Sequence, residues 1–120
     1  MPSYIKKSLS EYTSDKKGYI TGSFFPAEML EYDTSIEINY SDLPDSFSAA
    51  PHCHAKSKTW VIVMKGKMYF KINGEEVEVG AGEFLIFEAG VPEEVVRVDP
   101  GTGSFTIHSP SIPGGDKVLL

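Results

Sequence analysis

Two histidines, His52 and His54, stand two residues apart in the stretch AAPHCHAKSKTW, and the chain holds just one more, His108. In an extended strand, side chains alternate between faces, so His52 and His54 point one way and Cys53 the other. Their Cα atoms then lie about 6.6 Å apart at ~3.3 Å rise per residue. Neutral imidazoles at that spacing can converge on one ion at about 2.0–2.2 Å from each nitrogen. Each imidazole then needs an acceptor on its second ring nitrogen, which fixes the tautomer. The alternative for so short a motif is a pair of solvated loop histidines. Other chemistries have less support. Cys53 faces away from the imidazoles, which argues against a Cys–His pair. The segment PSIPGGDK lacks the strand-to-helix setting of a phosphate loop, and no G-x-S-x-G elbow occurs.

The elements that must position the pair are short strands. No long apolar pattern of helical period occurs, and β-type runs are cut by Gly, Pro, Asn and Asp. GYITGSFF and TSIEINYS read as the first two strands, and LPDSFSAAP as a loop between them and the histidines. TWVIVMKG stops at Gly66. KMYFKING ends in Asn73-Gly74, a tight-hairpin signal, and EEVEVGAG follows in alternation. EFLIFEAGVP is another strand. EEVVRVD and GSFTIHS are expected to form a hairpin through DPGTG, and the tail PSIPGGDKVLL to be turn material with a short apolar strand. Eight or nine strands in 120 residues must cover their own edges. An all-β double-sheet jelly-roll barrel does so, and the Trp and paired Cys of an immunoglobulin-like course are missing.

One domain spanning residues 1–120 is expected, with residues 1–35 packing outside the barrel or on a partner subunit. The net charge of −6 argues against nucleic acid or anionic membrane lipid as the main partner and leaves a small-molecule ligand open. A single cysteine excludes an intramolecular disulfide, no apolar run reaches membrane-spanning length, and no apolar stretch follows the lysines of MPSYIKKSLSEYTSD. The expectation is a cytoplasmic protein.

Two blocks of this chain resemble the two motifs of the cupin superfamily. The first family motif runs glycine, five residues, H-x-H, three or four residues, glutamate, six residues, glycine. HCHAKSKTWVIVMKG matches it at His52, His54 and Gly66, with Thr59 where the glutamate should stand and no opening glycine. The second runs glycine, five residues, P-x-G, two residues, histidine. GEFLIFEAGVPE matches at Gly82 and Gly90, with Glu88 in place of the proline and Glu93 in place of the histidine. The resemblance covers roughly residues 36–110 and implies a double-stranded β-helix (cupin-like) fold and a dimer. Carried over position by position, it implies a metal set of His52, His54 and Glu93. Glu94, on the opposite face of an extended chain, belongs to solvent.

Two imidazoles and one carboxylate suit one divalent transition metal ion, with Fe, Mn, Ni and Zn all compatible. The expected function is a metal-dependent enzyme acting on a small polar organic molecule, with a dioxygenase favoured by the ligand types. A non-catalytic binding module and a metal-free isomerase-type cupin remain alternatives. Thr59, Glu88, Tyr40 and His108 are candidate pocket residues. Phe105 and Ile107 share a face that should meet the core, which would turn His108 outward. Lys56 and Lys58, in a bend after the histidines, could attract an anion. Trp60, Ile62 and Met64 share the face opposite Thr59 and call for a covering partner.

Overall fold

The computed structural model describes residues 3–10 and 18–120. Ten strands follow in order: β1 Tyr19–Thr21, β2 Glu37–Asp42, β3 Ala49–His54, β4 Lys58–Lys65, β5 Lys67–Ile72, β6 Glu75–Gly80, β7 Phe84–Phe87, β8 Glu93–Val98, β9 Gly103–Ser109 and β10 Lys117–Leu119. They form two five-stranded antiparallel sheets, ordered β1-β2-β9-β4-β7 and β10-β3-β8-β5-β6. This is the jelly-roll barrel that the strand spacing predicts, with short strands β1 and β10 added at two edges. Among the described residues, no helix is long and apolar enough to cross a membrane. The expectation for residues 1–35 falls partly on positions 1–2 and 11–17, outside the described residues; within the described ones, β1 pairs with β2 and Phe25 is buried.

Period-two alternation makes the core. Thr59, Val61 and Val63 of β4 turn inward, as do Met68 and Phe70 of β5 and Val95 of β8; a bulge in β8 breaks the alternation and turns Val98 inward as well. These apolar side chains, with Val79 and Phe87, form one buried cluster between the sheets. The β5–β6 hairpin closes through Asn73 at φ 53° and Gly74 at φ 79°, two left-handed residues that match the twist of the flanking strands.

One expected hairpin is not formed. β8 pairs with β3 and β5, whereas β9 pairs with β2 and β4, so DPGTG carries the chain from one sheet to the other. Sequence adjacency favours a hairpin, but each strand buries more by pairing between two non-neighbours. The corner is held by Thr102, whose Oγ1 accepts from Lys67 N at 3.1 Å and donates to Asp99 O at 2.6 Å. Gly66, at φ 75°, lies beneath it, and a Cβ there would stand 2.2 Å from Thr102 Oγ1. Glycine at this position is therefore required both by conformation and by space.

β7 lies at a sheet edge with its outer face open: Phe84 is 66% exposed. The apolar run FLIF predicts packing on both faces, but the described residues cover only one of them.

Candidate metal centre

His52 and His54 sit on β3, between β10 and β8. His52 is the direct cross-strand partner of Glu93, the first residue of β8. Directly opposed residues project from the same face, and His54, two positions on, shares it. The register of β8 on β3 thus brings an acid 39 or more positions away in sequence against the histidine pair. One ligand atom from each of His52, His54 and Glu93 lies within 4.8 Å of the others.

Hydrogen bonds select the nitrogens. His52 Nδ1 lies 2.7 Å from the carbonyl of Ala50. His54 Nδ1 lies 3.0 Å from Asp116 Oδ1. Both acceptors call for an Nδ1–H donor, which leaves each Nε2 as a bare lone pair. Asp116 is well fixed, because its Oδ2 also accepts from the backbone N–H groups of Lys56 at 2.9 Å and Ser57 at 2.8 Å. Burial alone would raise the Asp116 carboxyl; the donors from Lys56, His54 and Ser57 outweigh it and hold the group at about 2.

The donor set fits a cation. His52 Nε2 faces Glu93 Oε1 at 3.3 Å, and both groups are buried. A nitrogen lone pair and a carboxylate oxygen at that distance repel unless a proton or a cation lies between them. Glu93 Oε2 is buried with no hydrogen-bond partner, an unmet need of the kind that marks an ion site. Burial pushes the Glu93 carboxyl up to about 7, against a smaller opposing pull from Lys117. Burial also lowers His52, which keeps its imidazole neutral. Two neutral nitrogens and one oxygen can therefore coordinate one divalent ion, with further positions open to a ligand.

The other expected site residues divide. Thr59, where the family glutamate would stand, is fully buried; its Oγ1 lies 2.9 Å from Nδ1 of His108, its cross-strand partner on β9. His108 lines the same cavity, its ring centroid 4.2 Å from that of His54, yet it lies outside the trio that meets within 4.8 Å. Burial drives it down to about 4, so it is neutral. The outward placement expected for His108 is reversed. Ser104, Thr106 and His108 form the inner wall of β9, while Phe105 packs against Tyr40 on the outer face at 5.0 Å between centroids. The inner wall is polar because it bounds a cavity rather than the core. For the same reason Tyr40 lies outside the pocket, its hydroxyl donating to Asp42 at 3.1 Å. Glu88 is also outside: β7 ends at Phe87, and the carboxylate, 78% exposed, stands 3.9 Å from Lys58 Nζ.

The cavity has a volume of about 340 Å³ between the two sheets. Phe47, Met68 and Phe70 supply an apolar wall, and Asn39, Ser104 and Thr106 a polar one. Two residues beside the cluster escape a reading of the sequence, Asp116, which holds His54, and Lys117, which lines the cavity. Both belong to a tail that reads as a glycine turn, and only the pairing of β10 with β3 brings them to the histidines.

The profile of the cupin domain family matches residues 40–101. No curated protein sequence matches the chain. Among solved structures, a cupin protein from Bacteroides fragilis is 18% identical, with 100% of this chain and 99% of that one covered and a TM-score of 0.66. KdgF from Halomonas sp. is 15% identical over 68% of this chain and 74% of that one, with a TM-score of 0.63. A recombinant oxalate oxidase in complex with glycolate is 22% identical over 71% of this chain, with a TM-score of 0.57, and this chain spans 46% of its length. At these identities the likeness is one of fold.

Proposed function

The chain belongs to the cupin family, and from that premise we propose that it is a metal-dependent enzyme acting on a small, oxygen-rich organic molecule through one divalent ion held by His52, His54 and Glu93. The observation that carries this reading is the close approach of His52 Nε2 and Glu93 Oε1, beside an unpartnered Glu93 Oε2. When bound, such an ion supplies Lewis acidity toward a ligand oxygen, or redox chemistry if it is iron. The chain's own groups do the rest. Ala50 O and Asp116 orient the two imidazoles. Thr59 fixes the neutral His108 ring beside His54, where its Nε2 can hydrogen-bond a ligand in the cavity. The apolar wall of Phe47, Met68 and Phe70 excludes water from one side of the ligand.

The solved structures of this fold include an oxalate oxidase with glycolate bound, which makes small hydroxy- and keto-acids the first compounds to try. Freshly purified protein should carry an equimolar divalent ion by metal analysis. The iron(II)-loaded protein should consume dioxygen with one of these acids. Equimolar metal with ligand-induced stabilisation but no product would favour the binding module instead. Protein that takes up no ion would sink the metal reading.

A single domain with its N-terminal segment outside the barrel or on a partner subunit, a cytoplasmic setting and a homodimer belong to the same proposal. The dimer is supported by the outer face of the first sheet, where Ile38, Ile107, Trp60 and Ile86 lie in one cross-strand row. Phe84 is open beside it, and apolar faces of this kind mark protein interfaces. Sedimentation should find a dimer for the wild-type chain and a monomer for Phe84→Lys.

A further inference from the structure

A second hollow, of about 240 Å³, lies beside the metal cavity and shares Tyr19 with it. Its other walls include Phe24, Glu37, Ile112 and the turn at Gly114 and Gly115. None of these residues belongs to the ligand cluster. Glu37 opens β2 and stands opposite His108 on β9. Opposed residues leave a sheet on the same face, so Glu37 turns to the inner side of the sheet, where it lines this hollow.

The carboxylate is held in place and lacks a counter-ion. Ser111, which is buried, donates from Oγ to Glu37 Oε1 at 3.0 Å. The same Oγ accepts from the backbone N–H of Ser23 at 2.9 Å and lies 2.9 Å from Ser23 Oγ. One hydroxyl thus ties the loop after β1, the tail and the carboxylate together. Among the described residues Glu37 forms no salt bridge, and it is the only charged group in the lining of the hollow. Burial pushes its carboxyl up more than the Ser111 hydrogen bond pulls it down, so the charged form is short of compensation.

The remaining walls are mostly apolar. Tyr19 and Phe24 meet edge to face at 4.5 Å between centroids, and Phe24 is half exposed. Its ring folds back over Gly22, where a Cβ would collide with it. Gly114 and Gly115 carry no side chain to close the rim that they form. A single carboxylate among such walls does not suit a hard metal ion, which takes about six or more oxygen ligands. It suits a cation carried on an apolar body, drawn by the carboxylate and by the ring faces.

We propose that this hollow is a second binding site, for an organic ammonium ion whose nitrogen sits against Glu37 and whose apolar body lies on Phe24 and Ile112. The site goes beyond the metal reading and does not depend on it.

Benzylamine, protonated near neutral pH, and benzyl alcohol, of nearly the same shape and no charge, test it by calorimetry on the purified protein. Wild type should bind benzylamine about tenfold or more tightly than benzyl alcohol. Glu37→Gln should lose about tenfold in benzylamine affinity and the preference with it. It should keep its benzyl alcohol affinity, because the amide oxygen can still accept from Ser111. Phe24→Ala should weaken both probes about threefold or more. Added zinc or chelator should leave the preference in place, because a protonated amine has no lone pair for an ion. Equal affinity of wild type for the two probes overturns the proposal. So does an unchanged benzylamine affinity in Glu37→Gln or Phe24→Ala, or benzylamine binding that requires zinc. The metal reading stands or falls separately, on uptake of the ion.

Discussion

Glu93→Gln is expected to bind zinc more than about 100-fold more weakly than wild type, beyond the 10–100-fold typical of losing a residue that only orients a ligand. The amide keeps the shape of the carboxylate and can present one oxygen, but it lacks the charge that makes the buried group a ligand for a hard or borderline ion. Competition calorimetry against a chelator reads the loss directly. The same variant should behave in the opposite way without metal. Folding raises the Glu93 carboxyl from 4.5 to about 7, so the folded protein holds a proton there that the unfolded chain has released. Stability from this group is full below about 4.5 and is lost as pH rises through about 7. A glutamine has no such dependence. Urea titrations in chelator should therefore show Glu93→Gln gaining on wild type as the pH rises from about 5 to about 8. If Glu93 served only as a structural partner of His52, its replacement would destabilise the protein at every pH and leave metal binding untouched.

Asp116→Ala should weaken zinc binding by about 10–100-fold and lower stability by about 1–3 kcal/mol, measurable as a fall in the urea midpoint. Two different losses are combined in it. Without the carboxylate, His54 Nδ1 has no fixed acceptor 3.0 Å away, so the ring can rotate or take the other tautomer and present N–H to the ion. Separately, the backbone N–H of Ser57, a buried residue, loses its acceptor. The N–H of Lys56, which is exposed, can turn to water. A Ser57→Ala variant keeps the backbone N–H bond to Asp116 and removes the hydroxyl, which donates to Pro110 O and adds a weaker pull on the Asp116 carboxylate, so it should lose stability with far less loss of zinc affinity than Asp116→Ala. An Asp116→Ala protein that binds zinc as wild type does would show that the carboxylate is purely a loop clamp.

Much of the barrel was legible because strand alternation is a local property. The inward set Thr59, Val61 and Val63 follows from period two alone, and so does the shared face of His52 and His54. Asn73-Gly74 marks its hairpin for an equally local reason, since few residues adopt left-handed conformations cheaply. Motif spacing points to Glu93, because it stores a register that periodicity cannot supply. His108, by contrast, lies on the face opposite to the one that the apolar pair of its strand predicts. Alternation separates Thr106 and His108 from Phe105 and Ile107 but does not say which set looks inward. The usual rule that apolar side chains face the interior fails where the interior is a polar cavity and the outer sheet face is itself apolar.

The sequence by itself determined the class of fold, the hairpin of β5 and β6, and the projection of two imidazoles from one strand face. The tertiary structure decided what meets them: Glu93 through the pairing of β8 with β3, Asp116 and Lys117 through the pairing of β10 with β3, and His108 through the side of the sheet that β9 turns to the cavity. The division has a physical cause. Side-chain direction along a strand is fixed by bonds between neighbours, whereas the choice of partner strand and of buried face is settled by how much surface the whole chain removes from water.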